Sequence, residues 1–109
     1  MLQALDRIRE LKNAGERVSV DGNREYNAGW HTALDLYHLL TVSEIVTRSA
    51  LERKESRGAH FRDDFPAKDD QAGKFNIVAR KGERGELELT SEPIPPMREE
   101  LQQVIEEMK

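Results

Sequence analysis

Two amphipathic segments dominate the first half of the chain. The first carries leucine and isoleucine at the spacing of one helix face: Leu2, Leu5, Ile8 and Leu11. A longer apolar stripe runs through residues 30–54, where no glycine or proline interrupts it. Residues 13–24 between them have the composition of a loop, and Asn27 stands where an N-cap is expected. We predict one long second helix, although a capping-box pattern at residues 41–44 also fits a split into two helices.

The second half of the chain changes to an alternating pattern. Residues 75–80 and 86–90 alternate apolar and polar positions on either side of a short segment, 81–85, that contains two glycines. This pattern predicts a β-hairpin. Three prolines then form a stiff connector, and Pro95 or Pro96 is expected at the first position of a terminal helix. That helix has its own apolar stripe: Met97, Leu101, Val104, Ile105 and Met108.

These elements predict a mainly α fold in a single domain over residues 1–109. The first two helices share an apolar face, which favours a small antiparallel helical bundle (spectrin-repeat-like) with an appended β-hairpin and a C-terminal helix. Residues 55–73 show no periodicity and should form a long irregular segment, which is unusual in a compact domain unless it has a function.

Composition excludes several classes of function. The formal net charge is −4, and the 17 basic residues are interleaved with 21 acidic ones, so we expect no nucleic-acid binding. The chain has no cysteine, which excludes disulfides, iron–sulfur ligation and thiol catalysis within it. No apolar run has the length of a membrane span, so direct membrane insertion is not expected.

The remaining candidates for catalysis or metal binding are sparse. His31 and His38 lie seven residues apart, too far along a helix for one ion without a third ligand. The glutamate clusters near the hairpin and the C-terminus are typical of solvated faces. Neither nucleotide-binding glycine motif occurs, and Gly82 and Gly85 are explained by the hairpin turn. We therefore predict no catalytic, cofactor-binding or metal-binding residue in this chain.

Residues 53–66 concentrate arginine, histidine and aspartate just after the long helix. Gly58 can adopt the left-handed backbone conformation that often follows a helix, and arginine offers a rigid fork of hydrogen-bond donors. The residues alone favour a helix stop followed by a solvated loop whose charges pair with one another.

The sequence from Glu55 to Pro66 reads E-S-R-G-A-H-F-R-D-D-F-P. It closely resembles the E-S-R-G-A-H-x-R-x-D-x-P signature of the succinate dehydrogenase and fumarate reductase flavoprotein subunits, of which L-aspartate oxidases share a related version. The run Y-N-A-G-W-H-T-A-L-D-L from Tyr26 and the ending P-P-M-R-E-E-L from Pro95 resemble the succinate dehydrogenase branch.

The resemblance implies that this chain is the C-terminal helical domain of such a subunit. The parent would carry covalent FAD and interconvert succinate and fumarate, with the flavin and the catalytic residues in upstream domains and no cofactor bound here. The implied partners are the flavin and capping domains, an iron–sulfur subunit and a membrane anchor. The implied location is cytoplasmic, peripheral on the inner face of the plasma membrane through the parent complex.

The resemblance also suggests a role for the arginine-rich segment. We hypothesise that Arg57, His60 and Arg62 hold this domain against the flavin domain, with Glu55 and Asp63 orienting them. Two alternatives remain for the whole chain: a free-standing helical interaction module, or the C-terminal domain of an L-aspartate oxidase.

Overall fold

The computed structural model describes residues 1–108. Its elements in chain order are α1 (Leu2–Gly15), α2 (Ala28–Glu52), a short 3-10 turn (Ala72–Lys74), β1 (Phe75–Lys81), β2 (Leu87–Pro93) and α3 (Glu99–Glu107). The architecture is mainly α with a two-stranded antiparallel hairpin and a C-terminal helix, which confirms the predicted fold class.

Helices α1 and α2 form an antiparallel pair. Gly15 at the end of α1 lies against Leu36 and Leu40 of α2. Three residues earlier on α1, Lys12 forms an ion pair with Glu44. The loop predicted from residue 13 begins later than expected, because helical hydrogen bonding continues until the N–H of Glu16 bonds the carbonyl of Lys12 at 3.1 Å.

Helix α2 is a single element of 25 residues. Asn27 caps it as predicted, since its side-chain oxygen accepts the N–H of Trp30 at 3.3 Å. The alternative of two helices is wrong. The hydroxyl of Thr41, which would have capped the second one, donates instead to the Tyr37 carbonyl at 2.9 Å within the continuous helix.

The hairpin follows the predicted alternation. Its register pairs Phe75 with Pro93 at the open end and Lys81 with Leu87 next to the turn. Gly82 N–H bonds the carbonyl of Glu86 at 2.8 Å, and Gly85 takes the left-handed conformation with φ of 86°. Strand β1 packs against α2, so the hairpin covers a second side of that helix.

Helix α3 starts later than predicted. Pro95 or Pro96 was expected at its first position, but both lie in the connector and the helix begins at Glu99. Arg98 before it is extended, and Glu99 and Glu100 occupy the first turn, where acidic side chains favour the positive end of the helix dipole. None of the residues of α3 is buried, so the helical bundle proper consists of α1 and α2.

The apolar interior is small. Within residues 1–108, the buried hydrophobic residues are Leu5, Leu40 and Ala72. Two charged side chains, Glu55 and Arg62, are less exposed than these three hydrophobic residues. Both belong to the irregular segment after α2, whose other residues up to Gln71 are half-buried or exposed.

Candidate functional site

Arg62 lies across the C-terminal end of α2 and is only 6% exposed. Its Nη1 donates to the carbonyl oxygens of Ala50 at 3.1 Å, Leu51 at 2.8 Å and Arg53 at 3.0 Å. The last carbonyls of a helix have no intrahelical partner, and this end of the helix dipole favours a cation. Arg62 thus caps α2 with a side chain from nine to twelve residues further along the chain.

The other edge of the Arg62 guanidinium forms an ion pair with the carboxylate of Asp64. Its Nε and Nη2 donate to the two oxygens of Asp64 at 2.9 and 2.6 Å, in the bidentate geometry that arginine favours. This hydrogen bonding lowers the pKa of Asp64 and raises the pKa of Arg62. The Phe65 ring also lies against the guanidinium, with its centroid 4.7 Å from Cζ.

Glu55 is fully buried, and its carboxylate accepts three hydrogen bonds. Oε1 accepts from Nε of Arg57 at 3.0 Å and from Nη1 of Arg53 at 2.6 Å, and Oε2 accepts the Asp69 N–H at 2.9 Å. The hydrogen bond from Arg57, followed by those from Asp69 and Arg53, outweighs desolvation and lowers the pKa of Glu55 to about 2. Glu55 is therefore ionised at neutral pH.

The two arginines beside Glu55 extend its contacts to the next elements. Arg53 donates to the carbonyls of Ala72 at 2.8 Å and Phe75 at 3.0 Å, which ties the end of α2 to the 3-10 turn and to β1. Arg57 donates to the Asp69 carbonyl at 2.7 Å. We call Arg53, Glu55, Arg57, Arg62 and Asp64 together the arginine knot.

A glycine makes room for this arrangement. A Cβ added at Gly73 would lie 2.5 Å from Nη2 and 2.9 Å from Cζ of Arg57. Any other residue at position 73 would therefore displace the guanidinium from its present place.

A tight turn inside the knot returns the chain toward α2. Arg57 and His60 exchange two backbone hydrogen bonds of 2.8 and 3.0 Å, and Gly58 between them has φ of 58°, which favours glycine. Ser56 then fixes the loop from within, since its Oγ accepts the N–H of Arg62 at 2.9 Å and donates to the Phe65 carbonyl at 2.8 Å. Polar contacts thus hold most of residues 53–75 in place, and Ala72 is the buried hydrophobic residue among them.

The structure brings three of the five predicted docking residues into this knot. Glu55, Arg57 and Arg62 lie in it, and all their described partners belong to the chain itself. His60 borders the knot, with Nε2 3.4 Å from the carbonyl oxygen of Arg53. Arg57 and His60 remain partly exposed at its outer edge.

Asp63 lies outside the knot, and two members of the knot, Arg53 and Asp64, were not among the predicted residues. Asp63 is exposed and, among residues 1–108, no ion pair joins it to an arginine, whereas its neighbour Asp64 holds Arg62. The signature E-S-R-G-A-H-x-R-x-D-x-P has its aspartate at position 64 and any residue at position 63, so the motif itself favoured Asp64. Arg53 was not predicted, although its place directly after the last helical residue is where a cation interacts favourably with the helix end.

The knot suits a structural role better than a catalytic one. The buried Glu55 carboxylate is held ionised and already accepts from three donors, so it is a poor proton acceptor at neutral pH. His31 and His38 lie on the exposed side of α2, each edge-on to the aromatic ring of the preceding residue. Among residues 1–108, no three histidine, aspartate or glutamate side chains are grouped so that they could bind a metal ion.

Comparison with known proteins identifies the family. The sequence model described as fumarate reductase flavoprotein C-term matches residues 1–107. The chain is 35% identical over 95 residues to the fumarate reductase flavoprotein subunit of Haemophilus influenzae, a match that covers 86% of this chain and 16% of that protein. It is 30% identical over 93 residues to the succinate dehydrogenase flavoprotein subunit of Rickettsia bellii, covering 84% of this chain and 16% of that protein.

Solved structures agree with the sequence relatives. Mycobacterium smegmatis Sdh1 in complex with UQ1 is similar with a TM-score of 0.84 and 40% identity, over 96% of this chain and 18% of that chain. The same complex in the apo form has a TM-score of 0.80 and 42% identity, over 89% of this chain. The chain thus spans less than a fifth of the proteins it matches, and it belongs to the C-terminal family of fumarate reductase and succinate dehydrogenase flavoprotein subunits.

Proposed function

We propose that this chain is a structural and docking domain within a flavoprotein subunit that interconverts succinate and fumarate. The observation that carries the proposal is the similarity to Mycobacterium smegmatis Sdh1, which extends over 96% of this chain but only 18% of that one. A segment with that coverage acts as one part of a larger polypeptide. The interconversion of succinate and fumarate would then take place in the remainder of the polypeptide, and this segment would supply a fixed surface.

The small interior supports the same proposal. The three buried hydrophobic residues of the described range 1–108 are few for a helical domain, and many large apolar side chains of α2 and α3 are exposed. Exposed apolar surface of this extent is typical of an interaction site. A domain that completes its packing against a neighbour fits both observations.

For the arginine-rich segment, we propose that its exposed residues make the docking contact and that its buried residues hold the loop in shape. Glu55 and Arg62 belong to the buried group, because their polar atoms already bond within the chain. They shape a loop whose outer edge carries His60, Asp63 and Phe61, of which the last is 67% exposed. This outer edge is the part of the knot that would contact the flavin domain.

We assign FAD to the part of the subunit outside this segment. A flavin pyrophosphate needs free hydrogen-bond donors, typically at a glycine-rich helix start. The guanidinium groups of Arg53 and Arg62 donate instead to backbone carbonyls and carboxylates of their own chain. The residues of the knot therefore do not fit this cofactor, and no catalytic step is assigned to them.

The proposal also names the partners and the location of the parent protein. The partners are the flavin and capping domains of the same subunit, an iron–sulfur subunit and a membrane anchor. The complex would be peripheral to the inner face of the plasma membrane. Within residues 1–108, no helix combines the length and the apolar character needed to cross a bilayer. Attachment to the membrane would then depend on the partner subunits.

The proposal can be tested with three preparations: the complete polypeptide, the same polypeptide truncated before this segment, and this chain alone. Flavin absorbance and succinate oxidation with an artificial electron acceptor are measured for each. We expect both in the complete polypeptide, neither in the isolated chain, and a loss of activity on truncation. A complete polypeptide without flavin would overturn the proposal, and oxidation of L-aspartate in preference to succinate would assign the domain to an L-aspartate oxidase.

A further inference from the structure

A groove of about 440 Å³ lies between α1, the middle of α2 and the turn end of the hairpin. Its apolar lining comes from Ile45, Ala79 and Leu87, which are half-buried, and from the exposed ring of Tyr37. Binding sites for small molecules are typically concave, measure roughly 300–1,000 Å³, and combine an apolar lining with a few polar groups. The groove has the size and the apolar part of such a site.

The helical side of the groove has an excess of positive charge. Lys12 and Arg48 share one carboxylate, because Lys12 forms an ion pair with Glu44 and Nη1 of Arg48 lies 3.5 Å from Oε1 of the same residue. The hydrogen bond from Lys12 lowers the pKa of Glu44, so this carboxylate is ionised at neutral pH. Two cations and one carboxylate leave one positive charge uncompensated. All three side chains are half-buried, so water screens that charge less than it would on an open surface.

The hairpin adds a further cation from the opposite side. Lys81 lines the groove and, among residues 1–108, no ion pair includes its ammonium group. Its neighbour Arg80 is already paired with Glu92 at 2.5 Å. Glu86, the second carboxylate of the lining, lies over the turn, with Cδ 2.7 Å from the place of a Cβ at Gly82. Cations therefore outnumber carboxylates in the groove even when Arg80 is left out, although the whole chain has a net charge of −4.

We propose that this groove binds a small carboxylic acid with an apolar body, such as an aromatic or branched aliphatic acid. Within the described chain, Nε and Nη2 of Arg48 donate to no acceptor, so they are available to the two oxygens of a carboxylate. Lys81 would pair with the same group from the hairpin, and the apolar body would contact Ile45 and Leu87. An inorganic anion would use the cations alone and leave the apolar lining without a partner. The docking role proposed above involves no ligand, so this site is an additional one.

A ligand in the groove would connect the turn end of the hairpin to the helices. Strand β1 packs against α2, but the groove separates the turn end of the hairpin from the middle of that helix. A carboxylate between Arg48 and Lys81 would bridge this gap. Because the bridge exists only in the folded chain, occupancy of the groove should stabilise the hairpin on α2.

The test uses para-benzoylbenzoate, an aromatic carboxylate that cross-links to nearby C–H groups under near-ultraviolet light. It is added to the complete flavin-loaded polypeptide, and peptide mass spectrometry locates the cross-links. We expect cross-links within residues 37–48 and 79–87. The uncharged analogue para-benzoylbenzamide should give about tenfold fewer there, because it lacks the charge-assisted hydrogen bonds. Equal yields from the two probes, or no cross-link within the groove, would overturn the inference.

Matched substitutions in the hairpin show whether the proposed cation is responsible. Lys81→Gln removes a charge from the groove, and Arg84→Gln removes one from the same turn at a residue that does not line it. Both side chains are exposed, so both variants should fold. We expect Lys81→Gln to reduce cross-linking by para-benzoylbenzoate about tenfold and Arg84→Gln to leave it unchanged. Equal yields from the two variants would overturn the inference while leaving the proposed function intact. A complete polypeptide that lacks flavin and succinate oxidation would overturn the proposed function instead.

Discussion

Nη1 of Arg62 donates a hydrogen bond of 2.8 Å to the carbonyl oxygen of Leu51, eleven residues earlier in the chain. The same guanidinium holds both oxygens of Asp64 along its other edge. One planar side chain therefore caps a helix and pairs with a carboxylate at once. A lysine ammonium, which is a single point of charge, has no atoms to reach both.

We expect Arg62→Lys to loosen the loop although it preserves the charge. The ammonium can satisfy the helix carbonyls or Asp64 but not both, so the turn around residues 57–66 loses one of its attachments. Amide hydrogen exchange of residues 53–67 should become about tenfold faster, as measured by mass spectrometry. Arg9→Lys is the matched control, because Arg9 pairs with Asp6 at 3.2 Å on the exposed face of α1. If the two substitutions had the same effect, the fork of Arg62 would not be what orders the loop.

Acid should destabilise the fold through Glu55. Its pKa is about 2 in the folded chain against an ordinary value of 4.5. The unfolded chain therefore binds a proton at Glu55 before the folded chain does. The stabilisation is fully present above pH 4.5 and is lost as the pH falls toward 2. Urea denaturation at a series of pH values should show an unfolding free energy that falls across this window.

Glu55→Gln isolates this contribution. The variant should be less stable than the wild type at pH 7, because an amide accepts weaker hydrogen bonds from two arginines than a carboxylate does. It should also show a shallower decline below pH 4.5, the ordinary pKa of the group it lacks. Glu44 and Asp64, whose pKa values are also lowered, are present in both proteins and cancel in the comparison. Parallel pH curves for the two proteins would contradict this account.

Gly73→Ala should damage the knot by way of Arg57. The new Cβ would lie 2.5 Å from Nη2 of Arg57, which would have to leave the Asp69 carbonyl and weaken its contact with Glu55. Removing Arg57 first should remove the clash. In a double-mutant cycle by urea denaturation, we therefore expect Gly73→Ala to be clearly destabilising alone and nearly neutral in an Arg57→Ala background.

A second glycine provides the contrast for that cycle. A Cβ at Gly58 would meet no atom within 4 Å, so Gly58→Ala is strained only by its φ of 58° and should cost about 1 kcal/mol. This cost should persist in the Arg57→Ala background. Additive effects for Gly73→Ala and Arg57→Ala would mean that position 73 does not act through Arg57.

The sequence predicted the elements with a strong periodic signal. The stripe of α2, the alternation of the hairpin and the cap at Asn27 all depend on local patterns, and all are present. The start of α3 was wrong because proline fits either a connector or a first helical turn, and the residues alone do not decide between them. The end of α1 was placed too early because its last turn contains Asn13 and Gly15, which are typical of loops.

The site was less predictable because its contacts join residues that are distant along the chain. The motif indicated that Glu55, Arg57 and Arg62 belong together, but it did not indicate that they bond inward. That outcome depends on backbone carbonyls of Ala50, Leu51 and Ala72, which no side-chain pattern reveals. The choice of Asp64 over Asp63, by contrast, could be made from the sequence, because the signature has its aspartate at position 64. Only the exposed outer edge of the knot remains open to the docking role that the sequence motif suggested.

Asn27→Ala tests how much of α2 depends on its first turn. Asn27 accepts the N–H of Trp30 at 3.3 Å and donates to the carbonyl of Asp21 at 2.9 Å, so the alanine variant loses both the cap and a tie to the preceding loop. We expect a loss of about 1 kcal/mol in the free energy of unfolding, measured by urea denaturation followed by circular dichroism. Asn27→Ser retains an oxygen that can cap the helix but lacks the donor to Asp21, and it should recover most of the loss. If serine is as destabilising as alanine, the bond to the Asp21 carbonyl, rather than the cap, holds the start of α2 in place.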